Sequence, residues 1–194
     1  MGNVLIRFIP RHFIEREGVE DPADRELLMK AVYHSVEWPG MDRGDLDEPE
    51  MEAIARARLP ERLHAVAHRL ISEWDVPVEP IPGMEALVRE CKARGLGVYM
   101  LSNASRRQPE YCVNIPGNEC FDGRVISALE RCVKPDPRLY QILLSRYGLR
   151  AEDCLFVDDT PANVAGAEAV GMKGFHFTGD VEALRRAIDG FLKA

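Results

Sequence analysis

The hydrophobic period of this chain changes once, at Pro80-Ile81-Pro82-Gly83, and that change constrains the fold more than any other feature. Before it, nearly everything reads as helix. Leu27, Leu28, Ala31, Val32, Ser35 and Val36 form one apolar stripe. Met51, Ile54, Ala55 and Leu59 form a second, after an Asp47-Glu48-Pro49 start signal. Leu63, Val66, Ala67, Leu70, Ile71 and Trp74 form a third. This i, i+3, i+4 spacing is that of amphipathic helices, and three such stripes joined by short loops predict a small helical bundle.

After Gly83 helical stripes alternate with short β-compatible runs. Met84, Leu87, Val88 and Cys91 mark a helix that stops at Gly95. Residues 96–101, 124–127, 154–157 and 174–177 read as strands. Between and after them come a helix carrying Leu139, Ile142, Leu143 and Tyr147, a helix over 161–170 with Pro161 in its first turn and Gly171 past its end, and a last helix that Asp180 can cap. Alternation of this kind predicts an α/β fold with a mostly parallel sheet covered on both faces. Its chemistry is expected at the carboxyl ends of the strands.

Several classes are disfavoured. No apolar run approaches the ~20 residues that a membrane-spanning helix needs. The start, MGNVLIRFIPRH, has no basic region ahead of its apolar stretch and no small-residue cleavage site, so it does not read as a secretory signal. The 25 Lys and Arg residues against 32 Asp and Glu give a net charge of −7, which argues against a nucleic-acid partner while leaving room for a small anion held by local cations. The five cysteines (Cys91, Cys112, Cys120, Cys132 and Cys154) include no CxxC pair and predict reduced thiols in a cytoplasmic protein. Oligomeric state is not legible in the sequence.

Three short segments could carry chemistry. Ser102-Asn103-Ala104-Ser105 follows the first strand, where a hydroxyl, an amide and turn N–H groups can meet an anion. Lys134-Pro135-Asp136-Pro137 sets a lysine between fixed backbone bends. Asp158-Asp159-Thr160-Pro161-Ala162-Asn163 follows a buried strand with adjacent carboxylates, whose repulsion a hard divalent cation such as Mg²⁺ relieves. Each alone has a plain alternative: a helix cap, a solvated lysine, or a cap beside a solvated acid.

Together, the order LSNAS, VKPDPRLY, FVDDTPANVAGAEAVG resembles motifs two to four of the haloacid dehalogenase-like hydrolase superfamily, from Pro82 to the C-terminus. The stretch Trp38…Asp42-Arg43-Gly44 resembles its sugar-phosphate phosphatase branch. The resemblance implies a Rossmann-like core (1–15 plus 80–194) with a helical cap (16–79). It implies hydrolysis of a small phosphorylated metabolite, with a haloacid dehalogenase or an inactive binding protein of the same fold as alternatives. It further implies that Ser102 and Asn103 bind phosphate, that Lys134 offsets charge, and that Asp158 and Asp159 hold Mg²⁺. Gly2, Asn3 and Asn163 would support the site. Trp38, Arg43 and His12 are specificity candidates by position.

The superfamily's first motif is an apolar strand ending in a nucleophilic Asp. Gly2-Asn3-Val4-Leu5 matches the residues that follow this Asp, and Met1 takes the position between them. The resemblance therefore puts the nucleophile and its strand upstream of Met1, and the chain by itself is expected to turn over little phosphate ester. Gly2 stands where many such phosphatases carry a second, acid/base Asp.

Overall fold

The computed structural model describes residues 1–193. The helical region comprises α1 (Pro10–Arg16), α2 (Pro22–Leu28) running into a π-helical segment (Met29–Tyr33), α3 (Trp38–Arg43), α4 (Glu48–Arg58) and α5 (His64–Ser72). Asp47 caps α4 by accepting from the Glu50 N–H at 2.9 Å, while the Glu50 carboxylate accepts from the Asp47 N–H at 2.9 Å. Such a reciprocal cap is worth about 1 kcal/mol. The three stripes converge, leaving Leu28, Val32, Met51, Ala55, Ala67, Leu70 and Ile71 at most 1% exposed. Two expected members fall outside. Leu27 flanks the stripe, and Val36 is 83% exposed because it lies in the turn beyond the π-helical segment. The expected boundary at residue 16 cuts α1, whose Phe13 and Ile14 pack in this helical cluster.

The second region holds α6 (Met84–Ala93), β1 (Tyr99–Ser102), α7 (Gln108–Tyr111), β2 (Gly123–Ile126), α8 (Ser127–Glu130), α9 (Pro137–Tyr147), β3 (Leu155–Asp158), α10 (Pro161–Ala169), β4 (Lys173–His176) and α11 (Val181–Phe191). Asp180 caps α11 by accepting from the Ala183 N–H at 2.9 Å. One face of the strands packs on α9 through Leu139, Tyr140 and Leu143. The other packs on α6 and α11 through Met84, Leu87 and Leu184.

The pairing is parallel, but the sheet is divided. β1 pairs only with β2, and β3 only with β4. Between β1 and β3 lies a cavity of about 490 Å³ with Met100, Leu101, Phe156 and Val157 on its walls and Met1 and Leu5 among its lining. The N-terminal residues fold into a tight loop, in which Leu5 N–H donates to the Met1 carbonyl at 2.9 Å. The chain then runs beside residues 79–81, with Arg7 N–H on Glu79 and Ile81 N–H on Leu5. All five cysteines are free, and no described helix is long and apolar enough to cross a membrane.

Candidate active site

Lys134 joins the carboxyl ends of the two half-sheets. Its ammonium donates to the Leu101 carbonyl of β1 at 3.0 Å and to Asp158 Oδ2 of β3 at 2.6 Å. Both side chains are nearly sealed from water, at 4% and 5% exposure. The Phe156 ring lies 5.4 Å from the ammonium. Asn103 fixes the lysine from behind: its Oδ1 accepts from the Lys134 N–H at 2.8 Å and its Nδ2 donates to the Lys134 carbonyl at 3.1 Å. The amide of Asn103 thus holds main chain.

Asp158 is held on both oxygens. Oδ1 accepts from the Thr160 N–H at 3.0 Å and from Asn163 Nδ2 at 2.9 Å. Burial alone pushes this carboxyl up. The charge and hydrogen bond of Lys134, with Asn163 and Thr160, outweigh burial and hold it below the ordinary carboxylate range. Asn163 is itself placed by α10, which sits close to the Lys134 loop because residue 166 is glycine. A Cβ there would lie 2.9 Å from the Tyr140 hydroxyl and 3.0 Å from Pro135. That hydroxyl donates to the Asn163 carbonyl at 2.7 Å.

The other candidates close the ring. Ser102 is buried at the end of β1, with its hydroxyl 3.3 Å from the Asn103 carbonyl. Asp159 Oδ2 accepts from Asn3 Nδ2 at 3.2 Å. Asn3 has φ of 56°, a left-handed turn that a short polar side chain tolerates, and its Oδ1 accepts from the Phe8 N–H at 3.1 Å. Gly2 lies close under Phe8. The Met1 nitrogen is buried in the same field. Burial first, then Lys134, lowers its amine to about 5, against the opposing pull of Asp158 and Asp159.

Trp38, Arg43 and His12 stand apart from this ring. Trp38 packs against Tyr33 in the helical cluster, with ring centroids 4.8 Å apart and the planes tilted by 53°. Arg43 pairs with Asp45 at 2.8 Å on the surface, and His12 is exposed on α1. The neighbouring Asp42 reaches inward instead. Its carboxyl is pushed up to about 6, mainly by burial, against the charges of Lys134 and Arg43. The sequence offered one signal for it, its place in Asp42-Arg43-Gly44 beside an expected specificity residue. Its segment is pinned to the core: Ser127 Oγ donates to the Asp42 carbonyl at 2.5 Å, and Arg106 and Arg131 donate to the Gly44 carbonyl at 2.7 and 3.1 Å. Gly44 is obligatory here, with φ of 73° and no room for a Cβ against the Ala128 carbonyl.

No group of three or more His, Cys, Asp or Glu side chains suited to a metal occurs among the described residues. Asp158 and Asp159 still fit Mg²⁺ by donor type. That ion binds through one or two carboxylates and fills its remaining positions with water and phosphate oxygens.

Chemistry gathered at the carboxyl ends of parallel strands, under a helical unit, defines the class as an α/β enzyme. The chain belongs to the haloacid dehalogenase-like hydrolase family, whose model matches residues 12–171. It is 37% identical over 166 residues to the sesquiterpene phosphatase astK of Aspergillus oryzae, covering 80% of this chain and 81% of that protein. It is 30% identical over 139 residues to the phosphoserine phosphatase of Thermus thermophilus, covering 70% of this chain and 54% of that one. The chain spans about half the length of several other curated relatives, such as 47% of haloacid dehalogenase-like hydrolase domain-containing protein 3 of Mus musculus. Among solved structures, the fold matches HAD family enzyme bt-2542 from Bacteroides thetaiotaomicron in complex with magnesium and inorganic phosphate. The TM-score is 0.66 at 16% identity, over 95% of each chain.

Proposed function

We propose that this chain is the phosphate-binding and cap-bearing part of a phosphomonoester hydrolase that acts on a small organic phosphate. The carrying observation is the buried Lys134–Asp158 pair that bridges β1 and β3 beside Ser102. Lys134 and Asp158 balance one another, so an incoming phosphoryl group adds negative charge that the Lys134 ammonium, beside Ser102, would meet together with a bound cation. Core 80–194 would supply the site and the helical region the lid.

In this reading a carboxylate joined ahead of Met1 attacks phosphorus. The ester oxygen leaves as the alcohol after taking a proton, and an acyl phosphate forms. Water then adds to that phosphorus and releases inorganic phosphate, restoring the carboxylate. Ser102 donates to a phosphoryl oxygen. Lys134 neutralises the growing charge, and Asn103 keeps it aimed. Asn163 and Thr160 N–H hold Asp158 in place. Mg²⁺, held by Asp158 and Asp159, would supply further charge neutralisation when bound. The paired carboxylates favour attack on phosphorus over the carbon attack of a dehalogenase, which has no use for a cation.

The test is a panel of sugar phosphates, prenyl phosphates and 2-haloacids, run on protein carrying Asp ahead of Met1. Phosphate release that needs Mg²⁺ and disappears in Asp158→Ala is the expected result. Halide release without metal, or no phosphate release from any ester, contradicts the reading.

A further inference from the structure

Hydrolysis of a phosphate ester needs a group that protonates the departing alcohol, and the ring around Lys134 holds none free to do so. Lys134 and Asp158 hold each other. Asp159 accepts from Asn3, and Gly2 has no side chain. Ser102 offers a hydroxyl, a hydrogen-bond donor rather than an acid.

One nearby carboxyl has no task. Burial, Lys134 and Arg43 act on Asp42 of α3, and no hydrogen bond does. The charged groups around it are engaged elsewhere: Arg43 with Asp45 at 2.8 Å, Glu48 with the Ser105 hydroxyl at 2.5 Å, and Arg107 with Asp75. Its main chain is fixed at the site. The Ser127 hydroxyl donates to the Asp42 carbonyl at 2.5 Å and accepts from the Ala104 N–H at 3.0 Å. Ala104 directly follows Ser102 and Asn103, and Asn103 grips the Lys134 main chain. A single side chain thus links residue 42 to the loop that carries Ser102. Gly44, packed on the Ala128 carbonyl and held by Arg106 and Arg131, keeps the segment there.

The carboxyl is half-buried, with Lys134 ahead of α9 and Tyr111 of α7 within range of its charge. Burial pushes it up to about 6. A proton donor works best with its pKa near the working pH. An unpaired carboxyl shielded from water costs stability, so packing alone gives no reason for an acid at this position.

We propose that Asp42 is the acid and base of the hydrolysis, brought to the phosphate site by the helical region. This rests on the hydrolase reading. As the attacking carboxylate bonds to phosphorus, the bond from phosphorus to the ester oxygen breaks. That oxygen takes the Asp42 proton and leaves as the alcohol. The Asp42 carboxylate then takes a proton from water, whose oxygen bonds to phosphorus as the acyl-phosphate P–O bond breaks. Inorganic phosphate departs, the attacking carboxylate is restored, and Asp42 is again protonated.

Two measurements test this. On the 194-residue chain the probe is sulfate, a tetrahedral anion whose charge is constant between about pH 4 and pH 8. In calorimetric titrations at pH 7.5, Asp42→Asn should bind sulfate about threefold to tenfold more tightly than the parent, because a facing negative charge is gone. At pH 4.5 the two should bind alike. The second measurement uses the protein carrying Asp ahead of Met1, with Mg²⁺. It compares kcat/KM for an alkyl phosphate, whose alcohol needs a proton to leave, and for p-nitrophenyl phosphate, whose phenolate leaves unaided. Asp42→Asn should lower the first about 100-fold or more and the second about threefold or less. A merely structural role lowers both alike. Equal losses, an unchanged alkyl rate, or equal sulfate affinity at pH 7.5 overturns the proposal and leaves the hydrolase reading standing. No phosphate release from either ester before the Asp42 substitution ends the hydrolase reading, and the acid role with it.

Discussion

The helical region and the strand region bury apolar side chains with unequal success. In the helical region seven stripe residues are at most 1% exposed. In the strand region an apolar cavity remains between β1 and β3. The backbone explains the contrast. A helix satisfies its N–H and C=O groups within itself, so a bundle needs only matching stripes. A strand satisfies half its groups on each neighbour, so β1 and β3, each paired on one side only, leave two edges open. The site lies on the second kind of structure, and its closest contact, Lys134 to Asp158, spans the opening.

The largest test of this contrast is electrostatic. Lys134→Met leaves Asp158 buried without its cation and is expected to destabilise the chain by about 3–5 kcal/mol in urea denaturation. Arg62→Met removes the partner of Asp24 in the helical region, where the arginine side chain is 62% exposed, and should cost about 0–1 kcal/mol. Equal costs break the contrast.

Packing gives the next largest effect. Leu70→Ala in the bundle should cost about 2–5 kcal/mol, as a new cavity in a closed core does. Leu101→Ala, which enlarges a space already present, should cost less than half as much by the same measurement. Gly166→Ala should cost about 1–3 kcal/mol, because the added methyl group meets Tyr140 and Pro135 and forces α10 away from the Lys134 loop. A stability loss with unchanged helical-region exchange would localise that strain to the site.

The smallest effect lies where the two regions meet. The Asp42 carboxyl is raised from 3.8 to about 6 on folding. A raised carboxyl contributes stability below its unfolded pKa and loses it as pH rises through the folded one. Asp42→Asn should therefore stabilise by about 1–2 kcal/mol at pH 7 and change little at pH 3.5, in parallel urea titrations. A gain that is the same at both pH values contradicts burial of this carboxyl beneath the helical region.

Much of this was legible in the sequence, and the limits are physical. Stripe periodicity located the bundle because helices are local. The Leu139–Tyr147 helix and the Asp180 cap were readable for the same reason. The acidic pair, Lys134 and Ser102 each looked ordinary alone; their order and spacing drew them together, and the structure places them at adjoining strand ends. What periodicity could not show was pairing. The strand runs gave four strands but not the division between β1 and β3, because neighbours in a sheet are set by tertiary contacts. Asn103 was readable as a polar residue near the site, but not as the clamp on the Lys134 main chain. Asp42 was hidden because an acid beside Arg43 reads as a surface ion pair; here Arg43 turns to Asp45 and leaves Asp42 facing the core.

Amide hydrogen exchange on the 194-residue chain tests the contrast most directly. The amides of Leu70 and Ile71 should exchange only by global unfolding. Those of β1 and β3 that face the cavity should exchange at least about tenfold faster, through local opening. Uniform protection across the bundle, β1 and β3 would show a closed sheet and contradict the division on which the site is built.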